Sequence, residues 1–215
     1  MPILQEFHSY SNTKLILWKI EETEQELIHL LDLPLSEKQK LENRKTPSHR
    51  LEFLASRASL CSLGISIKNL HFKENGAPYL DTQKFCSLSH TQNYSAAVVS
   101  QKQVGVDVEI YRKNIVKIAP KFVHKKEMFA LSNENQIFLL TRLWTAKEAV
   151  YKAFGTAGIH FSSQIEVHSF SMSDKKGFAM LTHLGKEYSF TLHFHSIING
   201  QLLSLIHISE PTRPY

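Results

Sequence analysis

Two carboxylates two residues apart open the chemistry of this chain. Asp107 and Glu109 lie in Val104-Gly105-Val106-Asp107-Val108-Glu109-Ile110, where apolar and acidic residues alternate. Strict alternation predicts a strand, and residues two apart on a strand project from one face. Val106, Val108 and Ile110 then take the other. Adjacent carboxylates repel each other and resist burial. A divalent cation removes that cost, and oxygen ligands suit magnesium, with manganese the alternative. The bland reading is a solvent-facing strand with two acids, the commoner fate of a bare D-x-E.

A second element bears on that choice. In Leu143-Trp144-Thr145-Ala146-Lys147-Glu148-Ala149-Val150-Tyr151-Lys152, Trp144, Glu148 and Lys152 recur every four residues. A helix carries them along one face. A plain reading is a Glu–Lys pair on a solvated helix. A functional one gives Glu148 to a metal and Lys152 to a phosphate. Helical periodicity leaves both open. A third element is Ser87-Leu88-Ser89-His90-Thr91 at the end of an expected strand. Its hydroxyls and imidazole can donate to phosphate oxygens. A Ser–His nucleophile is the weaker idea, because sequence neighbours seldom have the required geometry.

Other elements must position these residues. Residues 14–20 read as a strand, and Glu21 to Leu33 as a helix with Leu27, Leu30 and Leu31 on one face. Ser36 reads as an N-cap for a helix running into Arg44, and Pro47 opens another that stops before Gly64. Asn75-Gly76 between two apolar stretches predicts a hairpin. Residues 85–89, 96–100 and 104–110 read as strands. Helices are expected over 115–122, 125–131 and 135–153, the last closed by Gly155. Strand pattern returns from Ile165. Elements mix without regular β-α-β alternation, which favours an α+β fold of two related halves. The expected division is 1–84 and 85–202. Residues 203–215 look like a translated library-adapter sequence and are expected to be a non-native tail.

Bulk properties narrow the function classes. The chain has 215 residues, 42% hydrophobic and 21% charged, ordinary values for a globular protein. No window approaches the roughly 18 apolar residues of a membrane helix. The start, Met1-Pro2-Ile3-Leu4-Gln5-Glu6, lacks the basic region and apolar run of a secretion signal. Two cysteines make neither a disulfide framework nor a zinc signature, so the expectation is cytoplasmic. Net charge of +5 suits an anionic ligand or partner. The basic residues are dispersed, unlike the dense cluster of a dedicated nucleic-acid binder.

Together the motifs resemble the 4'-phosphopantetheinyl transferase superfamily. Gly105-Val106-Asp107-Val108-Glu109, followed some forty residues later by Trp144 to Lys152, resembles its signature pair. Ser87 to Thr91 resembles its upstream His motif, and Glu74-Asn75-Gly76-Ala77-Pro78-Tyr79-Leu80 its G-K-P-Y-L turn. Phe122 and Glu127 fall where the family often has an F-x-x-x-E-like segment. The resemblance runs from about Ser36 to Val167 and points to the larger, monomeric class of two fused halves related by a pseudo-twofold.

It implies a holo-carrier-protein synthase that moves 4'-phosphopantetheine from coenzyme A to a serine of an acidic acyl or peptidyl carrier protein, releasing 3',5'-ADP. Asp107, Glu109 and Glu148 would ligate magnesium. Glu148 would serve as base, and Lys152 would neutralise the departing nucleotide. Ser89, His90, Thr91, Lys40 and Lys73 would hold coenzyme A. One position departs: the residue before the turn proline, usually basic, is Ala77, and Lys73 is the substitute candidate.

Two rivals stand beside this reading. A different magnesium-dependent phosphotransferase would need a nucleotide cradle, and neither G-x-x-x-x-G-K-[ST] nor G-x-G-x-x-G occurs. A basic, non-enzymatic protein that binds nucleic acid or acidic proteins would leave the three acids scattered, with binding that falls steeply with salt.

Overall fold

A computed structural model describes residues 3–9, 13–131, 134–197 and 201–209. It is an α+β protein of two compact units, residues 1–102 and 103–215. The division falls after Lys102 and not after residue 84. Strands β5 (Phe85–Thr91) and β6 (Tyr94–Ser100) belong to the first unit. There β6 is hydrogen-bonded between β5 and β2 (Thr13–Lys19), with Lys14 opposite Val99 and Phe85 opposite Ser100.

With β1 (Ile3–Ser9) these strands form an antiparallel sheet in the order β1-β2-β6-β5. All seven residues of β6 are buried, as expected of a central strand. Helix α1 (Glu24–Leu30) begins in a capping box between Thr23 and Glu26. Helix α2 (Leu35–Glu42) begins one residue before the cap expected at Ser36, with Pro34 as N-cap and no side-chain cap bond. Helix α3 (Pro47–Ser62) starts on a Thr46 cap and packs against β6, burying Phe53, Leu54, Ala55, Ala58 and Leu60. The Asn75-Gly76 hairpin is present, joining β3 (Leu70–Phe72) to β4 (Pro78–Leu80) with Gly76 at φ +80°.

The second unit begins with β7 (Val104–Ile110), the strand of Asp107 and Glu109. The helix expected over 115–122 is only α4 (Ile115–Ile118), continued by a 3-10 turn over Ala119–Lys121. Pro120 explains the change, since it lacks the N–H that would extend an α-helical ladder. Lys125–Ala130 is likewise 3-10 and not α-helix. Helix α5 (Gln136–Phe154) runs 19 residues and stops where Gly155 adopts φ +70°. Then come α6 (Phe161–Gln164), β8 (Ile165–Val167), β9 (Lys176–His183), β10 (Lys186–Ile197) and β11 (Gln201–Ser209). The antiparallel order is β7-β11-β10-β9-β8. Strand β11 continues through the expected 202/203 boundary, with Leu202 opposite Glu109 and Ser204 opposite Asp107. Residues 210–215 of the expected tail lie outside the described residues. No helix among the described residues is long and apolar enough to cross a membrane.

Helix α5 lies directly on β7, and Gly105 sets how closely. A Cβ there would fall 2.0 Å from the Ala149 carbonyl oxygen and 2.8 Å from the Ala153 nitrogen. Both are backbone atoms of α5, so neither can swing aside. Gly105→Ala is expected to destabilise the protein by about 1–3 kcal/mol through forced separation of strand and helix. Urea unfolding checks this, and a loss below a few tenths of a kcal/mol would show that the helix shifts freely.

Candidate active site

Strand β7 and helix α5 together present the acidic group. Asp107 is nearly fully buried, while Glu109 and Glu148 are partly buried. The Lys152 Nζ donates to Asp107 Oδ1 at 2.6 Å and to the Val106 carbonyl at 3.3 Å. The helical face of Trp144, Glu148 and Lys152 is therefore not a solvated Glu–Lys face. Lys152 reaches across to the strand instead. Trp144 does the same, its indole N–H donating to the Glu109 carboxylate. The indole is itself held edge-on by Phe122, at 5.1 Å between ring centroids, and tilted against Phe161 at 5.6 Å. Arg112 approaches Glu109 at 3.5 Å from the strand's end.

These carboxylates strain each other electrostatically. Burial, then the charge of Asp107, pushes the Glu148 carboxyl up to about 7; Lys152 opposes the rise and Glu109 adds a smaller push. Burial, then the charge of Asp107, also raises Glu109, while Arg112, Trp144 and Lys152 oppose the rise. Among the described residues, no three His, Cys, Asp or Glu side chains are already arranged to hold a metal ion. The donor set nonetheless fits a hard divalent cation in chemistry and charge. All three are carboxylates, the charge of Asp107 disfavours ionisation of both Glu109 and Glu148, and a cation (the Lys152 ammonium) already sits on the most buried of them.

The raised Glu148 carboxyl has a consequence for stability. Its folded value lies above the unfolded value of 4.5. Its stabilising contribution is thus fully present below pH 4.5 and is lost as pH rises through about 7. Glu148→Gln removes the titration. In metal-free buffer, the stability of wild type relative to Glu148→Gln is expected to fall between pH 4.5 and pH 8, by up to about 3 kcal/mol. Thermal melts of the pair read this directly, and a pH-independent difference would remove the strain.

Behind the acidic face lies a buried ion pair. The Lys147 Nζ donates to the carbonyls of Phe122, Phe161 and Ile165 at 2.7, 2.9 and 2.7 Å, and to Glu127 Oε2 at 2.7 Å. Glu127 in turn accepts from the backbone N–H of His124 and of Val167. Both side chains are 0% exposed. Spacing gave no sign of this pairing, although both residues lie in the segments that carry the family resemblance.

In the first unit, the expected anion-binding residues do not all come together. On β5, Ser87, Ser89 and Thr91 are buried while His90 is exposed. Ser89 and Thr91 therefore lie on the opposite face of the strand from His90, as a period of two requires. His90 Nδ1 lies 3.2 Å from Glu52 Oε2 of helix α3, a partner that nothing in the sequence indicated. Lys40 on α2 bonds Glu37 at 2.6 Å and lies 4.6 Å over the Phe72 ring. Lys73 is exposed, and its amide donates to the Ala77 carbonyl at 2.9 Å. It therefore stands directly across the turn from the position where the resemblance expects a basic residue.

Comparisons with known proteins agree with these features. Residues 103–206 match the 4'-phosphopantetheinyl transferase superfamily model, and residues 37–100 match that of the 4'-phosphopantetheinyl transferase N-terminal domain. The chain belongs to the 4'-phosphopantetheinyl transferase superfamily. It is 26% identical over 154 residues to 4'-phosphopantetheinyl transferase gsp of Aneurinibacillus migulanus, covering 69% of this chain and 63% of that protein. It is 31% identical over 139 residues to 4'-phosphopantetheinyl transferase HetI of Nostoc sp., covering 56% and 58%. It is also 36% identical over 74 residues to enterobactin synthase component D of Salmonella typhi, covering 33% and 32%. The chain spans less than two thirds of the length of each of these relatives.

Proposed function

We propose that this chain transfers the 4'-phosphopantetheine arm of coenzyme A to a serine hydroxyl of a carrier protein, with release of 3',5'-ADP. The observation that carries the reading is the group of three acids on β7 and α5 with Lys152 among them, in a chain of this superfamily. Asp107, Glu109 and Glu148 would hold magnesium, or manganese. The ion would supply Lewis-acid polarisation and charge neutralisation at the phosphorus under attack.

The chain's own residues then do the following. Glu148 accepts the serine proton as the oxygen–phosphorus bond forms. A carboxylate that also ligates an ion is a weak base, so a water between serine and Glu148 is the second route. The bond that breaks lies within the pyrophosphate, and Lys152 neutralises charge on the 3',5'-ADP that departs. His90 holds phosphate oxygens of coenzyme A, with Lys73 and Lys40 as further cationic contributors. The buried positions of Ser89 and Thr91 leave them the supporting role of holding the strand that carries His90. Positioning and electrostatics supply most of the rate.

The acceptor is a small acidic acyl or peptidyl carrier protein, which a chain of net charge +5 would steer. The protein acts as a cytoplasmic monomer, without nucleic acid or membrane. Asp107→Ala is expected to lose magnesium-dependent binding of coenzyme A, measured by calorimetry with and without the ion. Unchanged dependence would sink the assignment of the ion to these residues.

A further inference from the structure

Asp107 stands at the centre of the acidic group, and its carboxylate is engaged by an ammonium. The Lys152 Nζ lies 2.6 Å from Oδ1, with the Val106 carbonyl as a second acceptor at 3.3 Å. The pair is shielded, with side-chain exposures of 26% for Lys152 and 6% for Asp107. Solvent screens such a contact far less than a surface pair. Lys152 also lies one helical turn from Glu148 on α5, so its charge stands beside both acid-bearing elements. Its ammonium thus neutralises the same cluster that a divalent cation would neutralise.

We infer that Lys152 is an internal competitor for the divalent cation: its ammonium holds Asp107 until a cation takes that carboxylate, and only then turns to the substrate's phosphates. The inference rests on the proposed transferase reading. It adds a second duty for Lys152, whose ammonium is held by Asp107 and the Val106 carbonyl before any cation arrives. Two results follow. The site spends no part of its cycle as three unneutralised carboxylates. Cation affinity is also set below what the three acids alone would give, because each binding event displaces a charge-assisted hydrogen bond.

The test is titration of the full chain with Mn2+ alone, followed by calorimetry, with no coenzyme A or carrier present. Lys152→Met is expected to bind Mn2+ about tenfold or more tightly than wild type. Lys152→Arg keeps the charge and is expected to stay within a few-fold of wild type. Without cation, Lys152→Met is expected to melt below wild type and to gain more on adding Mn2+. Should Lys152→Met fold poorly, Lys152→Gln replaces it with a polar side chain and the same expected tightening. Equal or weaker binding by these neutral variants, with wild-type binding abolished by Asp107→Asn, would overturn the competition and leave the cation site standing. Absence of Mn2+ binding in wild type and neutral variants alike would overturn both.

Discussion

Glu148→Gln is expected to lower phosphopantetheine transfer by roughly 10²–10⁴-fold, the range that a positioned general base supplies. The substitution is close to isosteric. It keeps the partly buried position on α5 and removes only the negative charge and the ability to accept a proton. The fold should survive, because what opposes that charge outweighs the favourable pull of Lys152. Burial and two neighbouring acids oppose it, so above pH 7 the variant should be no less stable than wild type. The pairing of lost transfer with retained or improved thermal stability is what distinguishes a catalytic carboxylate from a structural one. Near-normal transfer by a well-folded Glu148→Gln would remove Glu148 from the chemistry.

The largest expected effect on stability comes from Lys147, the residue before Glu148 and about 100° around the helix from it. Lys147→Met leaves Glu127 charged and fully buried, and it strips a donor from the carbonyls of Phe122, Phe161 and Ile165. Breaking a buried pair by removing one partner costs about 3–5 kcal/mol. The pair ties α5 to the segments that carry Phe122 and Phe161, and these two rings hold Trp144. Loss of the lock should therefore reach Glu109 through the indole. Removing both charges, as Lys147→Met with Glu127→Leu, is expected to recover much of the loss, because no unpaired charge then remains buried. Urea unfolding of the three chains measures this. A single-variant loss below about 1 kcal/mol would contradict the lock.

Much of this arrangement was legible before any coordinates. Alternation marked β7 and put Asp107 and Glu109 on one face. Helical spacing gathered Trp144, Glu148 and Lys152, and Gly155 marked the end of α5. Asn75-Gly76 marked its hairpin. These are local signals, each contained within a turn or a strand. The partners were not legible, because they are remote in sequence. Lys152 and Asp107 are 45 residues apart, and the pairing of Lys147 with Glu127 follows only from how α5 sits on its neighbours. Arg142 is a further case. It is buried against the Phe194 ring and donates to the carbonyls of Ser171, Met172 and Asp174. The first-unit site shows the reverse situation. The period of two that put Asp107 beside Glu109 also separates His90 from Ser89 and Thr91, and applying it to β5 would have split that group from sequence alone. The boundary after Lys102 depended on strand pairing across more than eighty residues, which no local pattern encodes.

The most direct measurement is the intact mass of an apo carrier protein after incubation with this chain, coenzyme A and magnesium, with and without chelator. A mass gain of one phosphopantetheinyl group, lost with chelator and lost with Glu148→Gln, is the expected result. No gain across acyl and peptidyl carriers, from a folded chain that still binds acidic proteins in a salt-dependent way, would contradict the transferase reading and favour a non-enzymatic binding protein.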